Sequence, residues 1–148
     1  MDLAYRIGFR TAYRLLQLWW FCRRPSATGA AVAVWHADRL LVVRASYRRY
    51  LDLPGGGIET RETPQAAALR ELREETGLRA RPEELGEAAT FRFDENNRRI
   101  TAHVFAWRAP GPVAPIADRR EIVWVGFLPR EELARAPLGP LLRLYLAG

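Results

Sequence analysis

The chain has 148 residues, which is enough for one domain with a substantial core. Its hydrophobic content of 49% and charged content of 27% are values of a globular protein and exclude a disordered or fibrous chain. The net charge is +6 and all 23 basic residues are arginine, so we expect affinity for anions. The single cysteine, Cys22, excludes an intramolecular disulfide, and we expect a cytoplasmic protein.

The first predicted element is a basic amphipathic helix over residues 3–22. Arg6, Arg10 and Arg14 recur every four residues, and leucine, tryptophan and phenylalanine occupy much of the remainder. Its longest uncharged run is shorter than the roughly 20 residues that cross a bilayer. Two interpretations stay open. The helix packs on its own domain or on a second copy as a homodimer, or it makes a peripheral membrane contact.

We therefore divide the chain into this helical segment, residues 1–25, and a domain over residues 26–148. Ser26 to Gly29 is predicted to be a short linker. Two apolar runs then flank residues 36–39, which is typical of a β-hairpin. Later patterns predict three more strands and two helices, within residues 87–93, 100–107, 122–127, 129–133 and 138–146.

A loop with two aromatic rings and two cations precedes a glycine-rich segment, residues 53–57. Its residues are Tyr47, Arg48, Arg49 and Tyr50. Tyrosine rings can stack on a nucleotide base, and guanidinium groups can hold phosphate. The loop is thus a candidate substrate-binding element, and a plain surface loop is the alternative.

The clearest helix signals surround residues 64–76. Thr63 is a good N-cap, Pro64 is favoured at the first helical position, and Gly77 stands where a left-handed C-terminal residue is needed. Most residues between them are strong helix formers. The sequence predicts a helix from Pro64 to Thr76.

Three carboxylates share one face of that helix, because Glu71, Glu74 and Glu75 are spaced i, i+3 and i+4. They repel each other, and negative charge at a helix C-terminus is unfavourable. A hard divalent cation, Mg2+ or Mn2+, would resolve this conflict. The glycines of residues 53–57 would allow positive φ angles and a close backbone approach to a ligand. The alternative is an ordinary solvated face.

The full spacing around these glutamates is more specific than the glutamates alone. The fixed positions are Gly56, Glu62, Arg70, Glu71, Leu72, Glu74, Glu75, Gly77 and Leu78. This pattern resembles the signature of the Nudix hydrolase family, without a departure. The resemblance implies an α/β fold, an α/β/α sandwich with a mixed sheet, to which this chain adds its N-terminal helix. It also implies metal-dependent hydrolysis of a pyrophosphate linkage in a nucleoside diphosphate joined to another moiety.

The resemblance assigns roles by position in the motif. Glu71, Glu74 and Glu75 would be metal ligands, and Gly55 or Gly56 would offer a carbonyl oxygen to the metal. One glutamate of the pair at 74 and 75, or one outside the motif, would activate water. Two further residues would act indirectly: Arg70 would hold a carboxylate in place, and Glu62 would lie behind the ligands.

The resemblance also suggests residues outside the motif. Arg44, at the end of a predicted strand, would touch substrate phosphate unless it is a plain surface arginine. Glu121 would be an additional metal ligand or base. The alternative function is a catalytically weak, nucleotide-binding regulator on the same fold. No specific nucleic-acid partner is predicted, because basic charge without a recognised binding motif is weak support.

Overall fold

The computed structural model describes residues 7–16 and 26–148. Residues 7–16 are helical and are called α1. The rest of the helix predicted over residues 3–22 lies outside the described residues. Within those residues, we find no helix with both the length and the apolar character needed to cross a bilayer.

One six-stranded sheet forms the centre of the domain, in the order β4-β5-β1-β2-β6, with β3 paired to β1. Its strands are β1 (Ser26–His36), β2 (Arg39–Ala45), β3 (Gly55–Gly57), β4 (Ala88–Glu95), β5 (Arg98–Arg108) and β6 (Ile122–Pro129). The pair β1–β5 is parallel, and the other pairs are antiparallel. The sheet is therefore mixed, as predicted.

Helices cover both faces of this sheet, which gives the predicted α/β/α sandwich. They are α2 (Pro64–Thr76), α3 (Arg130–Leu133) and α4 (Pro140–Ala147), with a short 3-10 helix at Pro82–Glu84. Alternate residues of β1 point to opposite faces. Val32 packs in one buried cluster with Leu72 of α2, whereas Ala33 packs in another with Leu142 of α4. The carboxylate-bearing helix is thereby fixed to one face of the sheet.

Helix α2 has the predicted ends. The Thr63 hydroxyl accepts a hydrogen bond from the Ala66 N–H at 3.1 Å, which satisfies one free donor of the first turn. At the other end Gly77 has φ of 72°, and its N–H donates to the Arg73 carbonyl at 2.9 Å. Both ends of α2 therefore carry the local capping interactions that the sequence predicted.

The predicted linker at Ser26–Gly29 is wrong, because these residues begin β1. They pair in parallel with β5, from Ser26 opposite Arg99 to Gly29 opposite Ala102. Small and polar residues hide the strand locally, and its partner lies about seventy residues further along the chain. The β1–β2 hairpin is confirmed, and its turn residues have the positive φ angles of a type I′ turn.

Candidate active site

The short strand β3 lies directly against the last turns of α2. The Gly55 N–H donates to Glu75 Oε2 at 3.0 Å. A Cβ added at Gly56 would lie 2.6 Å from the carboxyl carbon of Glu71, and one at Gly55 would lie 2.6 Å from the Ala31 Cβ. The glycines therefore allow backbone and carboxylates to approach closely.

The expectation of positive φ angles in this glycine segment is wrong. Among the described glycines, the positive φ belongs to Gly77 at the end of α2. Gly55 to Gly57 are extended instead because they pair with β1, with Gly56 opposite Ala30. The space available, rather than the backbone angle, explains why glycine is needed here.

Four carboxylates line one cavity of about 310 Å³ beside β3, which we call the acidic cavity: Asp52, Glu71, Glu75 and Glu121. Glu75 is 7% exposed. Burial raises its pKa well above the ordinary value, and the nearby charges of Glu71 and Glu121 raise it further. Burial also raises the pKa of Glu71. The cavity thus concentrates negative charge in a partly dehydrated space, where a cation would be stabilised.

Glu74 occupies a different position from its two neighbours on α2. Its side chain is 53% exposed, and its Oε2 lies 3.5 Å from Nη1 of Arg70. It does not line the cavity and contacts Arg70, which donates to Glu71. Glu121, at the entrance to β6, joins Glu71 and Glu75 in the cavity instead.

Arg70 connects the acidic residues of the motif. Its Nε and Nη2 donate to the two carboxylate oxygens of Glu62 at 2.8 and 3.0 Å, and its Nη1 donates to Glu71 at 2.5 Å. Nη2 also donates to the Gly57 carbonyl at 2.9 Å. The bonds from Arg70 are the main cause that lowers the pKa of Glu62 to about 2. This bidentate pair holds Arg70, which in turn orients Glu71.

The donor set fits Mg2+ or Mn2+ completed by water and substrate. In the parts of the chain that the structure describes, no three histidine, cysteine, aspartate or glutamate side chains converge closely enough to hold an ion by themselves. The cavity nevertheless offers hard oxygen donors on Glu71, Glu75 and Glu121 next to the backbone of Gly55 and Gly56. Mg2+ prefers such oxygens, keeps several waters, and shares ligands with phosphate.

The loop of tyrosines and arginines is engaged within the protein. The Arg48 guanidinium lies 5.6 Å from the ring centroid of Tyr47 and 5.3 Å from that of Tyr50. It also forms ion pairs with Asp52 at 3.4 Å and Glu95 at 3.7 Å. The Tyr50 hydroxyl donates to Glu95. Arg48 is therefore neutralised and fixed as a wall of the cavity.

The other candidate substrate residues fall in three places. The Tyr47 hydroxyl donates to Glu121 Oε1 at 2.5 Å, so it orients a cavity carboxylate. Arg44 is exposed on β2 opposite Trp124 and does not line the cavity. Arg49 is exposed and lies beside α1. The structure therefore brings Tyr47, and not Arg44, to the acidic cavity.

Tyr13 of α1 is a cavity residue that sequence analysis missed. Its ring stacks on Tyr47 with centroids 4.4 Å apart, and its hydroxyl accepts from Asn96 Nδ2 at 2.6 Å. Arg10 Nε donates to the Ser46 carbonyl at 3.0 Å. Helix α1 thus packs on its own domain at the mouth of the cavity. The available signal was an aromatic residue one turn after Arg10, on the basic stripe.

Comparison with known proteins gives a consistent family. A sequence model described as the NUDIX domain matches residues 25–147. A MutT-like protein from Streptomyces ambofaciens is 38% identical over 88 residues, which cover 60% of this chain and 54% of that protein. A probable DHNTP pyrophosphohydrolase from Lactococcus lactis is 38% identical over 52 residues, 35% of this chain and 31% of that protein. The chain spans about half or less of the length of these curated relatives.

A solved structure agrees with the fold. It is a bifunctional NMN adenylyltransferase/ADP ribose pyrophosphatase from Francisella tularensis, complexed with AMP and a Mn ion. The TM-score is 0.76 at 18% identity, and the match covers 93% of this chain and 46% of that one. At this identity the likeness concerns the fold.

Proposed function

Because this chain belongs to the NUDIX family, we propose that it is a metal-dependent pyrophosphohydrolase. It cleaves a pyrophosphate linkage in a nucleoside diphosphate joined to another moiety. The observation that carries this proposal is that Glu71, Glu75 and Glu121 line one cavity beside the backbone of β3. A pyrophosphohydrolase among the relatives, and a fold neighbour that binds AMP and Mn, support the same chemistry.

The acidic cavity is the proposed site of Mg2+ or Mn2+. Glu71, Glu75 and Glu121 are the proposed ligands from its walls, and the exposed Glu74 is a further proposed ligand. The backbone carbonyl of Gly55 or Gly56 adds a neutral oxygen. When bound, the ion supplies charge neutralisation for the substrate phosphates and lowers the pKa of a water molecule.

The remaining residues of the motif position this set. Arg70 fixes the direction of the Glu71 carboxylate, and Glu62 fixes Arg70 by accepting two hydrogen bonds from it. The Tyr47 hydroxyl does the same for Glu121. Glu74 or a glutamate of the acidic cavity accepts the proton of the attacking water. The phosphorus–oxygen bond of the anhydride breaks in the same reaction.

A screen of nucleotide diphosphate derivatives with Mg2+ or Mn2+ tests the proposal. Phosphate is measured after treatment of the products with a phosphatase. We expect turnover of at least one compound, abolished by a chelator and restored by adding metal. Glu75→Gln and Glu74→Gln should each lower kcat about a hundredfold, since even indirect changes at metal sites cost about 10–100-fold.

Glu131→Gln is the matched control. Glu131 is exposed on α3, which packs on the face of the sheet opposite to α2. Wild-type rates in both the Glu74 and Glu75 variants would contradict the assigned roles. If the protein binds nucleotides with metal but turns over no compound, the alternative of a nucleotide-binding regulator is favoured instead.

A further inference from the structure

A second cavity of about 490 Å³ lies between α1 and the loop of residues 46–49. Four of its lining residues are arginines: Arg10, Arg14, Arg48 and Arg49. Among the residues that the structure describes, no aspartate or glutamate lines it. We call it the arginine pocket. Its composition contrasts with that of the acidic cavity next to it.

The charge of the arginine pocket is only partly balanced. Arg48 has Asp52 and Glu95 as ion-pair partners. For Arg10 and Arg14, and likewise for the exposed Arg49, the described chain places no carboxylate within ion-pair distance. Three guanidinium groups around one concavity form a strong field for anions.

The arginine pocket adjoins the acidic cavity. Tyr13, Tyr47 and Arg48 line both. Tyr13 and Tyr47 are stacked on each other, and Tyr47 reaches Glu121 with its hydroxyl. A ligand whose diphosphate lies at the carboxylates can therefore extend past the two rings toward α1.

We propose that the arginine pocket binds a second anionic group of the substrate, a phosphate or carboxylate on the part beyond the scissile diphosphate. This inference rests on the proposed hydrolase function and specifies its substrate class. Guanidinium groups bind phosphate and carboxylate through paired hydrogen bonds, so several arginines at one site select for such a group. Helix α1 thereby acts in substrate selection.

Matched substrate pairs that differ by one anionic group test the proposal. Suitable pairs are NADH and NADPH, dephospho-coenzyme A and coenzyme A, and UDP-glucose and UDP-glucuronate. In at least one pair we expect wild-type kcat/KM to favour the more anionic compound about tenfold or more. The double variant Arg14→Ala/Arg49→Ala should lose most of that preference, through KM rather than kcat.

Arg135→Ala is the matched control, because it removes an exposed arginine just after α3. It lowers the net charge by one unit, whereas the double variant lowers it by two. No preference in the wild type, or an unchanged preference in the double variant, would overturn the proposal. Arg14 and Arg49 are both exposed, so their replacement leaves the buried core intact.

A binding experiment without turnover separates this proposal from the hydrolase function. Inorganic triphosphate is titrated calorimetrically into the full chain with a chelator present, where the acidic cavity repels anions. We expect binding that weakens about tenfold or more in Arg14→Ala/Arg49→Ala and not in Arg135→Ala. Such binding, together with no turnover of any compound in the screen with Mg2+ or Mn2+, would leave the pocket standing and reject the enzyme. Equal binding by wild type and double variant would reject the pocket.

Binding to vesicles of phosphatidylglycerol tests whether the arginines serve a membrane surface instead. If the double variant loses vesicle binding while its preference within every substrate pair stays at the wild-type value, the arginines serve a membrane surface, and the proposal is wrong. Loss of the substrate preference with unchanged vesicle binding supports the pocket.

Discussion

Gly55, Gly56 and Gly57 are consecutive residues of one strand, but a side chain would meet different surroundings at each. At Gly55 a Cβ would lie within 2.7 Å of Ala31 atoms, including its backbone Cα. At Gly56 it would meet the end of the Glu71 side chain at 2.6 Å, and at Gly57 it would meet nothing within 4 Å. A methyl scan along β3 thus separates folding from function.

We predict that Gly56→Ala lowers kcat about tenfold or more while the melting temperature changes little. The added methyl displaces the Glu71 carboxylate, and a flexible side chain moves at low cost in folding free energy. Gly55→Ala should destabilise the protein by about 1–3 kcal/mol, since overpacking against backbone cannot be relieved by one rotamer. Kinetics and thermal unfolding of the purified variants measure both effects.

Gly57→Ala is the control in the same strand and should resemble the wild type in both measurements. If Gly56→Ala retains the full kcat, the position of Glu71 does not matter for turnover. Equal stability of the Gly55 and Gly57 variants would show that the close contact with β1 is not a constraint.

The loop before β3 is held by a partly buried charge cluster of Arg48, Asp52 and Glu95, and this cluster has its own pH dependence. Burial raises the pKa of Asp52 from 3.8 to about 6, although the positive charge of Arg48 opposes the shift. Glu95 faces the same arginine. The folded protein therefore holds the Asp52 proton more tightly than the unfolded chain does.

The sign of the effect follows from this difference in proton binding. Between about pH 4 and pH 6 the folded state binds more protons at Asp52, so its contribution to the free energy of unfolding falls as the pH rises. A shift of this size corresponds to on the order of 2 to 3 kcal/mol. We predict that Asp52→Asn removes this contribution to the pH dependence. The free energy of unfolding of the variant, compared with that of the wild type at the same pH, should therefore be higher at pH 7 than at pH 4.

Urea denaturation at pH 4, 5, 6 and 7 measures the free energies of unfolding of the wild type and of Asp52→Asn. Asp38→Asn, in the exposed β1–β2 turn, is the control and should run parallel to the wild type. The prediction fails if the difference in free energy between wild type and Asp52→Asn stays constant across this range.

The elements that sequence analysis placed correctly are those with local signals. Helix α2 has its N-cap at Thr63 and its left-handed glycine at Gly77, and both ends are as predicted. The start of β1 was missed because Ser26 and its neighbours are strand residues through pairing with β5, which local sequence does not contain. Local signals determine helices and turns, whereas strand ends depend on distant partners.

The candidate site shows the same division. The motif spacing predicted Glu71, Glu75 and Arg70 as site residues. In the structure Arg70 donates to Glu71, and Glu75 accepts from the Gly55 N–H of the neighbouring strand. It did not show that Tyr47 contacts Glu121 across 74 residues of sequence. Nor did it place α1 at the cavity, because that contact depends on how the helix packs on the finished domain.

At the scale of the whole molecule, α1 is set apart from the core. The buried apolar residues of the described chain run from Ala30 to Leu142, and none belongs to residues 7–16. The contacts of α1 with the domain include the stack of Tyr13 on Tyr47 and the hydrogen bonds from Asn96 to Tyr13 and from Arg10 to Ser46. These contacts place Tyr13 in the lining of the cavity.

We therefore predict that a protein beginning at Ser26 still folds and keeps the proposed metal-dependent step. Unfolding should stay cooperative with a melting temperature a few degrees lower. The value of kcat should be retained within about threefold, because Tyr13 is the one described lining residue of the acidic cavity that the truncation removes. KM should rise about tenfold, since the truncation removes Tyr13 and the arginines of α1 that border the substrate path. Denaturation curves and steady-state kinetics on the same samples test this.

Tyr13→Ala in the full chain is the matched variant and should reproduce part of the rise in KM, because it removes the stack on Tyr47 while the arginines stay in place. A truncated protein that fails to fold would show that residues 1–25 belong to the core. An unchanged KM, accompanied by loss of a dimer in light scattering or of vesicle binding, would instead favour a second subunit or a membrane as the partner of this helix. A raised KM with an unchanged oligomeric state and unchanged vesicle binding would support α1 as a wall of the substrate site.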